Sequence, residues 1–172
     1  MHAALVVADG YHYPSETHLD HLKASVDQLS RGVVRQAMGR LLAELDKLEL
    51  GEWEELHTRT LDLSPLFVPY VGHVVWGDNY RRGEFMADLK RGMRDVDVDL
   101  AGELPDHIEP ILRYVAVTMR PLPDLLDVLP GAMKTMESTL ADADRTNPYR
   151  HLLDATVAVV QDLKPVAIGV VR

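Results

Sequence analysis

The chain contains no cysteine, and this absence excludes several kinds of chemistry. Disulfides, thiolate zinc sites and cysteine nucleophiles cannot form, and a reducing compartment suits such a sequence. Long apolar runs are also missing. The run from Ala3 to Ala8 is too short to span a bilayer, and no Lys or Arg precedes it as in a signal peptide. We therefore expect a cytoplasmic protein without stable membrane insertion.

Positive charge is scarce in the sequence. The 18 Lys and Arg residues stand against 27 Asp and Glu residues, and the formal net charge is −9. This balance argues against nucleic acid and against an anionic membrane surface as partners. It favours a basic partner, or it serves only to keep the surface well solvated. The length predicts a single domain over residues 1–172, with an apolar core large enough to need no further support.

The common catalytic signatures are absent as well. The sequence contains no G-x-S-x-G, P-loop, G-x-G-x-x-G or HExxH pattern. Among the eight histidines, His18 and His21 are spaced to share a helix face, but no third ligand follows at a recognisable spacing. We expect exposed polar histidines, no catalytic residue, no metal and no cofactor. The alternative is a small helical enzyme or metal-binding protein that uses its histidines.

Apolar residues recur at spacings of three and four along the chain, which predicts an all-α fold of about seven to nine helices. The stretch 95–100 alternates like a strand, but it has no partner strand and is interpreted as a loop. The apolar tail, 164–172, is expected to extend along a groove or to reach another copy. The predicted helical segments are 1–12, 15–32, 34–51, 53–60, 66–76, 78–96, a helix from Pro105, a short turn at 124–129 with a longer helix to about Ala143, and a final helix from Asn147-Pro148.

The segment from Glu103 to His107 stands out because it opens a helix with a buried apolar face. Asp106 and His107 lie at its head, where free backbone N–H groups and the helix dipole favour a carboxylate. Pro105 fits the first turn because its missing N–H costs nothing there. Pro110 predicts a kink, or a separate first turn between Asp106 and Glu109.

An aromatic stripe precedes this helix by about thirty residues. Its members share a spacing of three and include side chains with one apolar and one polar end, which are favoured at binding surfaces. The stripe fits an exposed peptide groove and a plain core equally well, whereas Arg81 and Arg82 are interpreted as a solvated helix start. The stripe consists of Phe67, Tyr70, His73 and Trp76.

Five segments resemble, in order, motifs of the NarJ-type chaperones, which belong to the broader TorD and DmsD superfamily. The motifs are an early Y-P-[DS]-E, an F-D-L, an H-x-x-x-G-[ED] that continues through R-G, an E-L-P-D-H, and a late S-P-Y. Together the matching segments span residues 11–155. They are Tyr13-Pro14-Ser15-Glu16, Leu61-Asp62-Leu63, the run from Gly72 to Leu89, Glu103-Leu104-Pro105-Asp106-His107, and Asn147-Pro148-Tyr149.

The resemblance implies an all-helical, TorD-like, cytoplasmic assembly protein for a molybdopterin oxidoreductase, either nitrate reductase or a related type II enzyme. Such chaperones bind the N-terminal leader of the catalytic subunit and hold that subunit until the molybdenum cofactor is inserted. They are not subunits of the mature enzyme. We expect a monomer or weak homodimer. A structural subunit that stays with the oxidoreductase is a further alternative.

A mechanism follows from combining the motifs with the residues. Phe67, Tyr70 and Trp76 are expected to form an apolar groove for the leader's hydrophobic face. Glu103 and Asp106 are expected to bind its Arg or Lys side chains. His107, with an ordinary pKa near 6.5, is a candidate for tuning release. The alternative for Asp106 and His107 is a purely structural role at the helix start.

Overall fold

A computed structural model describes residues 2–163, and it confirms the all-α prediction. The predicted tail at 164–172 lies outside this range. Nine α-helices follow one another within the described range, and a π-helical turn, Thr58–Asp62, extends the fourth. They are α1 Ala3–Asp9, α2 His18–Asp27, α3 Val33–Leu45, α4 Leu50–His57, α5 Val71–Trp76, α6 Tyr80–Asp95, α7 Ile108–Val117, α8 Pro123–Ala143 and α9 Tyr149–Gln161.

One continuous apolar core joins these helices. Helix α9 packs against α3 on one side and against α8 on the other, while α1 packs against α7. We refer to α3, α8 and α9 as the apolar bundle. The periodicity of each helix explains the arrangement, because residues three and four apart fall on the same buried face. Leu41, Leu140 and Leu152 are all completely buried there.

Helix α5 begins later than the sequence predicts. Residues 63–70 are not helical, and the helix runs only from Val71 to Trp76. The reason is a long-range pairing: Tyr70 forms an isolated antiparallel bridge with His107, which requires extended backbone at this position. The next helix is capped by Asn79 rather than Asp78, since the Asn79 side chain accepts a hydrogen bond from the N–H of Arg81 at 3.0 Å.

The prolines of the later helices disturb them less than expected. Pro110 lies in the first turn of α7, where a backbone N–H has no partner in the helix, and a separate turn at residues 105–106 precedes the helix, which begins at Ile108 rather than at Pro105. Helix α8 runs without a break from Pro123 to Ala143, although a separate turn at 124–129 was predicted. Pro130 lies on its exposed side, while Leu125, Leu129 and Met133 anchor the opposite face in the core.

Two other expectations agree with the structure. Residues 96–104 form no strand and cross the surface as a loop. The Asn147 side chain accepts a hydrogen bond from the N–H of Tyr149 at 3.0 Å and so caps the start of α9. Within residues 2–163, every helix is too short or too polar to cross a membrane.

Candidate functional site

The starts of α5 and α7 are joined side by side. The N–H of Val71 donates to the carbonyl of Asp106 at 2.8 Å, and the N–H of Ile108 donates to the carbonyl of Pro69 at 2.9 Å. These two bonds form the bridge between Tyr70 and His107. Two segments that the sequence singled out therefore meet in space, with the backbone itself holding them together.

Asp106 is completely buried and does not face a ligand. Its carboxylate accepts hydrogen bonds from Nε of Arg82 at 2.8 Å and from Nη2 of the same side chain at 3.4 Å. The expectation that Asp106 binds a cation of the leader is therefore wrong, because Arg82 already fills that role. Arg82 is itself only 14% exposed, so its interpretation as a solvated helix start is also wrong.

This ion pair needs the glycine beside it. A Cβ atom at Gly72 would lie 2.7 Å from Oδ2 of Asp106, closer than Cβ atoms pack, and 3.1 Å from Cγ of Arg82. A side chain at position 72 would therefore require the Asp106 carboxylate to shift. We call Gly72, Arg82, Asp106 and the Tyr70–His107 bridge the polar corner.

His107, rather than Asp106, caps helix α7. Its Nδ1 accepts a hydrogen bond from the N–H of Glu109 at 3.2 Å, which requires the unprotonated nitrogen. The ring meets that of Tyr70 edge to face, with the ring centres 5.1 Å apart. Burial lowers the pKa of His107. The imidazole is accordingly neutral near pH 7.

A cavity of about 280 Å³ opens beside the polar corner; we call it the first cavity. Its walls come from the end of α1, from the π-helical turn and from the segments on either side of the bridge. Its volume suits one or two side chains of a ligand. The lining residues are Tyr11, His12, Tyr13, His57, Leu61, Asp62, Tyr70, Ala101, Glu103, His107 and Glu109.

The carboxylates of the first cavity differ in their partners. Glu109 forms a salt bridge with Arg113 at 3.0 Å, and its carboxylate also lies 2.8 Å from Nδ1 of His12. Glu103 accepts a hydrogen bond from the hydroxyl of Tyr70 at 3.0 Å, and burial together with this carboxylate raises the pKa of Tyr70 to about 12. Over residues 2–163, neither Glu103 nor Asp62 forms a salt bridge. The cavity thus carries negative charge available to a ligand.

A second layer of polar residues supports the cavity from behind. The Tyr149 hydroxyl lies 2.9 Å from Nδ1 of His57 and accepts a hydrogen bond from Nε1 of Trp53 at 3.2 Å. Burial lowers the pKa of His57 to about 4, so the ring is neutral and shares one hydrogen bond with the Tyr149 hydroxyl. The Asn147 amide donates to Thr60 at 3.0 Å. The late N-P-Y segment therefore supports the cavity wall that contains His57 and Leu61, although its own side chains do not reach the cavity.

The seven predicted site residues divide into two groups. Tyr70, Glu103 and His107 line the first cavity. The other four, Phe67, His73, Trp76 and Asp106, lie outside its lining.

The aromatic stripe does not form a groove. Phe67 is 1% exposed and precedes α5, so the core interpretation is correct for this residue. Trp76 is partly buried against Phe85, with the ring centres 5.0 Å apart, and Arg81 lies over its ring. His73 lies beside Arg82 at the edge of the polar corner. The four residues would share one face only in a helix that starts at residue 66. Because α5 starts at Val71, Phe67 and Tyr70 lie outside it and the predicted stripe does not form.

Sequence reasoning missed most of the other lining residues. Tyr13 and the Leu61-Asp62 pair belong to two of the chaperone-like motifs, and the motifs could have marked them as candidate site residues. Tyr11, His12 and Glu109 carry no pattern of their own. They reach the cavity because α1 packs against α7, a contact between segments about a hundred residues apart.

The histidines proposed as an alternative metal site do not converge. His21 is exposed, while His18 is half-buried, stacks on Trp53 at 5.2 Å and donates to the carbonyl of Asp9 at 2.9 Å. The expectation that both are exposed is wrong for His18. Throughout the described part of the chain, no three His, Asp or Glu side chains come together in a metal-binding arrangement.

No protein-family model matches the chain, and no curated protein matches it. The chemistry of the first cavity therefore guides the functional conclusion. Carboxylates that form no salt bridge within residues 2–163 and lie beside tyrosine rings favour a guanidinium or ammonium group, through charge-assisted hydrogen bonds and cation–π contacts.

Proposed function

We propose that this protein is a cytoplasmic assembly chaperone for a molybdopterin oxidoreductase, either nitrate reductase or a related type II enzyme. It binds the N-terminal leader of the catalytic subunit and holds that subunit for insertion of the molybdenum cofactor. A cationic side chain of the leader enters the first cavity, where it replaces water around Glu103 and Asp62. These two carboxylates, rather than Asp106, bind the Arg or Lys side chain of the leader.

One observation carries the proposal: residues from three of the five motif segments that suggested the chaperone family line the same cavity. They are Tyr13, the Leu61-Asp62 pair, and Glu103 with His107, which are spread over some ninety residues of sequence. Tyr149, from the last motif, supports His57 from behind. A shared structural role near one acidic cavity explains why residues so far apart would form one signature.

The net charge of −9 supports the same conclusion. A cationic leader is attracted over a distance by an acidic protein, which raises the rate of association at low salt. The burial of Asp106 is consistent with this role as well. An acidic residue that is fixed by Arg82 can shape the cavity without competing for the ligand.

The proposal is tested by calorimetry with a leader peptide. The peptide is the N-terminal segment of the catalytic subunit of a molybdopterin oxidoreductase from the same organism, and we expect it to bind. Glu103→Gln and Asp62→Asn should each weaken binding about tenfold, the effect of losing one charge-assisted hydrogen bond. Asp127→Asn is the matched control, since Asp127 is exposed and lies outside the cavity lining. Its affinity should equal that of the unchanged protein.

Other outcomes would contradict the proposal. A leader that fails to bind, or that binds equally well to all of these variants, removes the first cavity from the mechanism. Stoichiometric metal in the purified protein would favour the histidine-based alternative. Recovery of the chain in the mature oxidoreductase complex would favour a permanent subunit.

A further inference from the structure

The ring of His107 is held in one orientation at the wall of the first cavity. Its backbone belongs to the bridge with Tyr70, and its Nδ1 accepts from the N–H of Glu109 at 3.2 Å. The Tyr70 ring packs against it with the ring centres 5.1 Å apart. Turning the imidazole over would place the carbon atom Cδ2 against the N–H of Glu109, which has no acceptor within its own helix. The start of α7 therefore fixes the orientation of the ring.

This orientation also decides which ring nitrogen carries the hydrogen. Because Nδ1 accepts a hydrogen bond, it is unprotonated, and a neutral imidazole then has its hydrogen on Nε2. Burial lowers the pKa of His107, which favours the neutral ring. His107 thus presents an N–H donor at Nε2, whereas Glu103 and Asp62 in the same lining present acceptors.

The Nε2 donor of His107 has no acceptor within residues 2–163. The residue is only 7% exposed. In the same range, the one side-chain nitrogen or oxygen that is both sealed from solvent and without a partner is Nδ1 of His18, so Nε2 of His107 keeps a surface open to solvent. His107 lines the first cavity, and this surface opens there. A free donor on a side chain more than nine-tenths buried indicates an acceptor that a ligand supplies.

We infer that Nε2–H of His107 donates a hydrogen bond to a main-chain carbonyl of the leader, beside the cationic side chain that enters the first cavity. This inference rests on the proposed function and adds a specificity to it: the site recognises a cation and a carbonyl of one ligand. A free cation without a carbonyl, such as a polyamine, displaces water from this N–H without replacing it as acceptor and therefore binds less tightly.

The position of the hydrogen is measured on the unchanged protein without any ligand. Long-range ¹H–¹⁵N spectra of the histidine-labelled protein at about pH 7 distinguish imidazoles that are protonated on Nδ1, on Nε2 or on both. We expect the His107 signals, assigned through the backbone amide of the same residue, to show the hydrogen on Nε2 alone. A hydrogen on Nδ1, alone or together with Nε2, would overturn the inference.

Two small probes test the carbonyl without knowledge of the natural client. Propylguanidinium and acetyl-Arg-amide carry the same cation, but only acetyl-Arg-amide has main-chain carbonyls. In titrations followed by ¹H–¹⁵N spectra, acetyl-Arg-amide should bind about fivefold more tightly, the effect of one additional hydrogen bond. Equal affinities, or a failure of both probes to bind, would overturn the inference.

The variant His107→Asn removes the donor and keeps the cap. The Asn oxygen accepts from the N–H of Glu109, as in a preferred N-cap residue, whereas the Asn amide nitrogen ends one bond short of Nε2. The advantage of acetyl-Arg-amide over propylguanidinium should fall to less than about twofold. His21→Asn is the matched control, because His21 is exposed and lies outside the cavity lining, and here the fivefold advantage should persist. If both variants behave alike, the inference fails. If His107→Asn does not fold, the spectra and the two probes still decide on the unchanged protein.

The natural leader separates this inference from the proposed function. If the leader binds and responds to Glu103→Gln while the two probes bind equally, the proposed function stands and the inference fails alone. If the leader does not bind while acetyl-Arg-amide keeps its advantage, the first cavity recognises a cation and a carbonyl in a different peptide. The proposed function then fails alone.

Discussion

The apolar bundle and the polar corner keep their residues buried in opposite ways. In the bundle, Leu41, Leu140 and Leu152 are sealed by contacts with other apolar side chains. In the polar corner, the completely buried Asp106 depends on one guanidinium and on the missing side chain of Gly72. Apolar packing tolerates small changes in shape, whereas a buried ion pair has one workable geometry. The corner should therefore be the more sensitive region.

The largest effect should follow removal of the buried carboxylate. Asp106→Ala leaves Arg82 charged and unpaired in a poorly solvated position, so we expect a loss of about 3–5 kcal/mol in the free energy of unfolding. Urea unfolding followed by circular dichroism measures it. Asp78→Ala is the control, because Asp78 touches the same guanidinium at 3.5 Å but is 89% exposed. A similar loss in both variants would contradict the comparison.

The next largest effect should come from the bundle. Leu41→Ala creates a cavity between α3 and its neighbours, with an expected cost of about 2–4 kcal/mol by urea unfolding. Leu41→Met nearly conserves the volume and should cost less than about 1.5 kcal/mol. Asp106→Asn is also nearly isosteric, but it removes the charge that Arg82 requires. If Asp106→Asn lowers the free energy of unfolding by less than Leu41→Met does, the polar corner is no more sensitive to substitution than the apolar bundle.

A smaller effect should appear as a dependence of stability on pH. The pKa of His57 is about 4 in the folded protein and near 6.5 when unfolded, so protons bind first to the unfolded chain as the pH falls. The contribution is fully present above pH 6.5 and is lost as the pH falls towards 4. Between pH 7.5 and 5, we expect His57 to account for about 2 kcal/mol.

The variant His57→Gln isolates this contribution. Unfolding free energies measured at both pH values should fall less in the variant than in the unchanged protein. Part of the remaining dependence has the same sign, because burial also lowers the pKa values of His18 and His107. An identical pH dependence in the variant would show that His57 titrates as it does in the unfolded chain.

The smallest effect should come from the edge of the corner. Tyr70→Phe removes the hydroxyl that donates to Glu103 at 3.0 Å, but Glu103 is partly exposed and water can replace the donor. We expect a loss of less than about 1 kcal/mol in unfolding free energy. A loss as large as that of Asp106→Ala would mean that the corner extends to this bond.

The same contrast explains which features the sequence could predict. The helices of the bundle follow from apolar spacing, and their existence was predicted correctly. The starts of α5 and α7 were predicted wrongly because the bridge between Tyr70 and His107 determines where both helices begin. The spacing of residues within one segment does not show which distant segment it will pair with. The placement of Asp106 failed for the same reason: an acidic residue at a helix start is ordinarily solvated, and only the fold brings Arg82 to it.

The site was predictable only as far as its motifs reached. Tyr70, Glu103 and His107 belong to segments that the sequence marked, and they do lie together at the first cavity. His12 and Glu109 are brought there by the packing of α1 on α7, which no spacing rule encodes. Phe67 shows the opposite error: it was predicted to line a peptide groove, but its side chain is buried in the core.

The bridge between Tyr70 and His107 also determines how the first cavity can change shape. Two backbone hydrogen bonds tie the wall formed by these residues to both helix starts, so it can shift only if α5 and α7 shift with it. The facing wall is a loop, in which Ala101 and Gly102 hold left-handed backbone angles and no helix constrains them. We therefore expect a ligand larger than the empty space to displace that loop. The wall formed by Tyr70 and His107 should keep its position.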